Sequence, residues 1–148
     1  MTLTIRDLEV GKVLALGPTT VTRDELLAFA TEFDPQPFHL DEAVAKSSVL
    51  GGLAASGWHT ASILMRLICD VFFLKLHALG STGIEEMKWL KPVYVDDVLS
   101  GNLTITGVRN SASKPDRLIV NFDVTLHDQN NQQKAFMRSM VFVQVPTS

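Results

Sequence analysis

Cysteine is almost missing from this chain, with Cys69 its single representative. An internal disulfide is excluded, and so is any zinc site built on clustered thiolates. Cys69 lies in an apolar run, where a buried and inert thiol is expected. Positive charge is scarce as well. Thirteen Lys and Arg face sixteen Asp and Glu, for a net charge of −3. That balance lacks the electrostatic footprint of a nucleic-acid-binding protein, so no nucleic-acid partner is expected. Any phosphate carried by a ligand has to be met by a local basic patch. A phosphate-binding loop, a dinucleotide fingerprint and a nucleophilic-serine elbow are all absent. So are internal repeats and low-complexity stretches. No charged segment followed by an apolar core opens the sequence, so no secretory signal is read and a cytoplasmic location is expected.

What is there reads as one domain over residues 1–148. Hydrophobic residues at 46% and charged residues at 20% fit an ordinary globular protein. A chain of 148 residues buries roughly 70% of its unfolded surface. Val10–Leu16 reads as a strand ending at Gly17-Pro18. Thr22 and Glu25 have the spacing of a capping box, opening a short helix through Leu26, Leu27, Phe29 and Ala30. Asp41 is placed to cap a second short helix. From Gly57 the chain turns helical for about twenty residues, with Ala61, Met65, Ile68, Phe72 and Leu76 marking the expected buried face. Gly57–Leu79 is apolar enough to suggest a membrane span. His59, Arg66, Asp70 and Lys75 interrupt it, and a buried helix is the better reading, with no membrane partner. The second half alternates with period two around Leu99–Thr106 and Val120–His127. Asn130-Asn131 marks a hairpin loop, and Ala135–Val145 is apolar on both faces, as a central strand would be. One long helix followed by antiparallel strands predicts an α+β domain in which a curved sheet wraps the helix.

The chemistry concentrates in Asp34-Pro-Gln-Pro-Phe-His39. Each proline fixes its own φ and pushes the residue before it out of the helical region. The segment is therefore a stiff corner able to hold a carboxylate and an imidazole in a set relation, as acid–base chemistry requires. Asp34 alone reads more readily as a turn former before proline than as a catalytic group. Asp34, His39 and Asp41 also admit a metal reading, but no recurrent ligand spacing supports it, and no metal is expected. Downstream, Gly51-Gly52 and Ser56-Gly57 deliver backbone to a helix N-terminus, where free N–H groups favour negative charge.

The run Asp34-Pro-Gln-Pro-Phe-His39-Leu-Asp41, together with Ser56-Gly57-Trp58, resembles the MaoC-like, hydratase 2 family of (R)-specific enoyl-CoA hydratases and dehydratases. The resemblance implies a hotdog fold and a homodimer, with larger homo-oligomers open. It implies reversible syn hydration of a trans-2-enoyl-CoA, with coenzyme A entering as part of the substrate and no cofactor. Asp34 and His39 match the family's catalytic pair, and Gly57 matches the glycine whose N–H binds the thioester oxygen. In that scheme Asp34 takes the proton of the attacking water, and His39 orients the water and supplies the α-proton. Gln36 stands where the family has Asn, and Ser56 where it has His. These two replacements are expected to shape the acyl pocket, in favour of branched or functionalised chains. Trp58 and His59 are further candidates for its wall, although His59 reads as structural more readily than as pocket-lining. Arg109, Lys114 and Arg117 form a solvated hairpin, or else meet coenzyme phosphates from a neighbouring subunit.

Two other functions share the architecture. A hotdog thioesterase would carry its carboxylate on the central helix, where Asp70 is the one acidic residue and stands far from the helix start. A non-catalytic acyl-CoA-binding protein would keep the fold without turnover.

Overall fold

The computed structural model describes residues 2–146. Its elements are β1 (Val13–Thr20), α1 (Arg23–Phe33), α2 (Glu42–Lys46), α3 (Gly57–Val71), β2 (Ala78–Gly80), β3 (Ile84–Trp89), β4 (Val98–Asn110), β5 (Arg117–His127) and β6 (Gln133–Gln144). Short 3-10 turns cover Ile5–Asp7, Pro37–His39 and Phe73–Lys75. The strands form one antiparallel sheet in the order β1-β4-β5-β6-β2, with β3 also paired to β6.

Strands β4 and β5 alternate over most of their length and β6 is apolar on both faces, so the three long strands bury a continuous set of side chains toward α3. Leu64, Ile68 and Phe72 meet Leu103, Phe122 and Val141 in one continuous core. A fully buried leucine or isoleucine stabilises by about 2 kcal/mol, so this face of α3 anchors the domain. Gly101 lets β4 and β5 close up, since a Cβ there would collide with the Thr125 carbonyl. The β5–β6 hairpin turns at Asn131, which adopts φ +60°, while Asp128 Oδ1 accepts from the Asn130 and Gln132 amides.

Three expectations change. The first strand continues past Gly17-Pro18 to Thr20, with a register shift between Leu16 and Thr19. The central helix ends at Val71, and residues 78–80 become an edge strand on β6; Gly80, at φ +110°, cannot continue a helix. The buried face of α3 is rotated as well. Ile68 and Phe72 are buried as expected and Thr60, Leu64 and Leu67 join them, whereas Met65 is 39% exposed and Ala61 and Cys69 are half-buried. The helix is apolar around most of its circumference, so two stripes satisfy the 3.6-residue period. Only the position of the sheet chooses between them.

Candidate active site

The site forms where the corner after α1 meets the N-terminus of α3. Thr22 caps α1, accepting from Glu25 N, and the helix ends at Phe33 because Asp34 leaves helical geometry at φ −147°, ψ 68°. Pro37 opens the 3-10 turn that carries His39. Asp41 then caps α2 by accepting from Val44 N at 3.0 Å, so its carboxylate is spent on the backbone. Ser56 caps α3, its Oγ accepting from Trp58 N at 3.3 Å.

Asp34 is held from both sides. Gln36 Nε2 donates to Oδ1 at 2.6 Å, and Ser56 Oγ donates to Oδ2 at 2.6 Å. Partial burial pushes the Asp34 carboxyl up, but the bonds from Ser56 and Gln36, with His39 beside it, outweigh that and hold it below the usual carboxylate range. His39 is buried, and its Nδ1 lies 2.8 Å from Ala54 O. A carbonyl oxygen only accepts, so Nδ1 carries a proton, and in the neutral form of the ring the lone pair is on Nε2. That Nε2 stands 3.4 Å from Asp34 Oδ2. Two acceptors so arranged can hold one proton donor between them.

His39 and Gly57 line a shared cavity of about 320 Å³, walled by Phe38, Thr60, Trp89 and Val93 among others. Its lining is largely apolar, and Lys91 stands at it as a cation. Gly57 is the first residue of α3, and its N–H makes no hydrogen bond among the described residues. Such an N–H at a helix N-terminus is a ready donor to an oxyanion. Trp89 packs over this glycine, donating from Nε1 to Gly57 O at 2.7 Å, and an added Cβ would lie 2.6 Å from the indole.

The structure thus brings together Asp34, Gln36, His39, Ser56 and Gly57. Gln36 and Ser56 turn toward Asp34, and all three stand behind His39, outside the cavity lining. The extra methylene of Gln is what lets its amide fold back onto a carboxylate two residues away. Trp58 is 62% exposed and meets Trp89 edge-on, outside that lining. His59 is buried against Phe29 of α1, ring on ring at 4.9 Å, also outside it. Sequence reading missed Ala54, because it acts through a backbone carbonyl and leaves no side-chain signal.

The sequence model of the MaoC like domain matches residues 8–125. The chain belongs to the MaoC-like family. It is 38% identical to a MaoC-like dehydratase from Rhodospirillum rubrum, whose crystal structure superposes with a TM-score of 0.89 over 99% of both chains. It is 34% identical over 109 residues to YdeM, an uncharacterized protein of Bacillus subtilis (strain 168), covering 74% of this chain and 75% of that one. The (R)-hydratase from A. caviae involved in PHA biosynthesis has the same fold at 23% identity, with a TM-score of 0.75 over 95% of this chain and 99% of that one. This MaoC-like chain therefore has the hotdog fold, with α3 as the helix inside the curved sheet.

Proposed function

We propose that this protein is a hydro-lyase that reversibly adds water to a trans-2-enoyl-CoA, giving an (R)-3-hydroxyacyl-CoA. The observation that carries the reading is the paired His39 and Asp34 beside the free Gly57 N–H, at a cavity with apolar walls. The thioester carbonyl would accept from Gly57 N–H, placing the β-carbon near the His39–Asp34 gap. Water held there attacks the β-carbon while its proton passes to His39 Nε2, and the double-bond electrons move into the thioester enolate. Asp34 stays ionised and steadies the imidazolium. His39 then returns the proton to the α-carbon on the same face, which is syn addition. These roles differ from the expected assignment of Asp34 as base, because both of its oxygens already accept strong hydrogen bonds. The thioester acidifies its own α-position, so no metal or redox group is required.

A homodimer completes this reading. Among the described residues strand β3 pairs only with β6 and leaves its other edge open, a surface that proteins ordinarily cover. Trp58 and Met65 on α3, and Ile84, Trp89 and Leu90 in and just after β3, present apolar surface that this chain leaves uncovered. A second copy would cover them and extend the acyl cavity. A light-scattering mass about twice the 16.3 kDa of the chain is expected; a mass equal to one chain would remove this part.

A thioesterase reading fares less well. Asp70 is exposed, paired with Arg66 at 3.0 Å, and stands about 20 Å along the helix axis from Gly57. Purified protein with crotonyl-CoA separates the possibilities. Loss of enoyl absorbance without free thiol, giving the (R)-3-hydroxy product, supports hydration. Free thiol would indicate hydrolysis, and binding without turnover would indicate an acyl-CoA-binding protein.

A further inference from the structure

Among the described residues Lys134 is the only buried lysine or arginine. A buried ammonium is costly unless paired and hydrogen-bonded, and Lys134, near the start of β6, is closed in on all sides. Its Nζ donates to Pro92 O at 2.8 Å and lies 3.4 Å from Asp128 Oδ2 and 3.5 Å from Asp97 Oδ2. The Tyr94 ring centroid is 5.1 Å away. The two carboxylates are buried and further engaged. Asp97 accepts from Tyr94 N and Gln129 Nε2, and Asp128 accepts from the Asn130 and Gln132 amides.

Most of these contacts converge on the crossing between β3 and β4. The carbonyl of Lys134 accepts from Leu90 N at 2.9 Å and Lys91 N at 3.3 Å, so one residue grips the crossing by backbone and by ammonium. Residues 89–93 are a wall of the cavity that His39 faces. The crossing in turn holds the segment before α3. Tyr94 OH donates to Leu50 O, Ala55 N donates to Val93 O at 2.8 Å, and Ala54 and Tyr94 form an isolated β-bridge. Ala54 O is the group that fixes the His39 tautomer.

We infer that Lys134 is a positioning residue for His39: its ammonium locks the β3–β4 crossing, which sets the Ala54 carbonyl and with it the proton on Nδ1. The inference rests on the hydratase reading for its kinetic consequence alone. Methionine at this place would fill the same volume, and buried ion pairs are often replaceable by apolar residues without loss of stability. What methionine lacks is a single atom that ties Pro92 O to Asp97 and Asp128.

The test compares Lys134→Met, and Lys134→Met with Asp128→Asn, against the parent full-length chain. The double variant keeps the cluster at one net negative charge and avoids stranding a second carboxylate. Ring 15N spectra of His39 report its tautomer whether or not the protein turns over crotonyl-CoA. If the parent lacks hydratase activity, the proposed function fails while this readout still decides the inference. Loss of the single Nδ1–H form is expected, with kcat reduced on the order of 10²-fold, as for an ångström-scale misplacement, and KM changed less than about twofold. A folded variant with the parent's His39 spectrum would overturn the inference. Failure of both variants to fold would overturn it too, by making Lys134 a requirement of folding and not of positioning.

Discussion

Ser56 Oγ donates to Asp34 Oδ2 at 2.6 Å while accepting from the Trp58 amide, so one buried hydroxyl caps α3 and holds the site carboxylate. Ser56→Ala is expected to cost about 1 kcal/mol through the lost cap. It should also let the Asp34 carboxyl titrate at higher pH. The sign follows from linkage: the folded carboxyl sits below its ordinary value, so its contribution is present above that value and is lost as pH falls through the folded one. In the parent, stability should therefore decline at strongly acid pH, and Ser56→Ala should flatten that decline. Denaturation at several pH values and carboxyl 13C titration check both statements. An unmoved Asp34 titration would mean that the serine bond does not govern the carboxylate.

Gln36→Asn combined with Ser56→His should lower kcat with every enoyl-CoA by a similar factor, because both side chains face Asp34. The ratio of kcat/KM between crotonyl-CoA and a branched enoyl-CoA should stay within about threefold, less than a methylene-scale pocket change produces. A tenfold change in that ratio would restore these residues to the acyl pocket.

His39→Ala should reduce hydration by about 10²–10⁴-fold, as for a positioned acid–base group, and Asp34→Asn should reduce it as well by leaving the imidazolium without its carboxylate. Acting on one water as a unit, they should be non-additive, with the double variant little worse than the weaker single. Fully additive losses would show that the two act separately.

Gly57→Ala places a Cβ 2.6 Å from the Trp89 indole, so Trp89 must leave its position over the helix N-terminus. Tryptophan fluorescence should shift, and kcat should drop by about 10²-fold as the oxyanion donor is displaced. Parent-like kcat alongside a shifted spectrum would remove Gly57 from the chemistry.

His59 Nδ1 is buried without a hydrogen-bond partner among the described residues. Burial pushes its imidazole below the ordinary value of 6.5, against a weaker upward pull from the Glu25 carboxylate. The unfolded chain therefore takes up the proton more readily. Stability should be full above about pH 6.5 and fall as pH drops from there toward the folded value. His59→Phe keeps a ring against Phe29, removes the unpaired nitrogen and should raise stability by about 1 kcal/mol at pH 7. Urea midpoints at pH 5 and pH 7.5 should then lie closer together than in the parent; an unchanged gap would place the proton uptake elsewhere.

By itself the sequence determined what local chemistry dictates. Proline geometry made Asp34–His39 a rigid corner, Thr22, Asp41 and Ser56 started their helices, and period-two alternation placed the long strands. These outcomes depend on neighbours a few residues apart, so a linear reading reaches them. It also singled out Gln36 and Ser56, but not what they touch, because a side chain's partner across twenty-two residues leaves no mark on spacing. Tertiary structure alone decided which stripe of α3 is buried, since a helix apolar on two faces leaves the choice to the sheet. It likewise decided that His59 turns to Phe29, that Ala54 fixes the His39 tautomer and that Lys134 is enclosed by two aspartates. Each of these is a contact between elements distant in sequence, and its energy exists only once the sheet has closed around the helix.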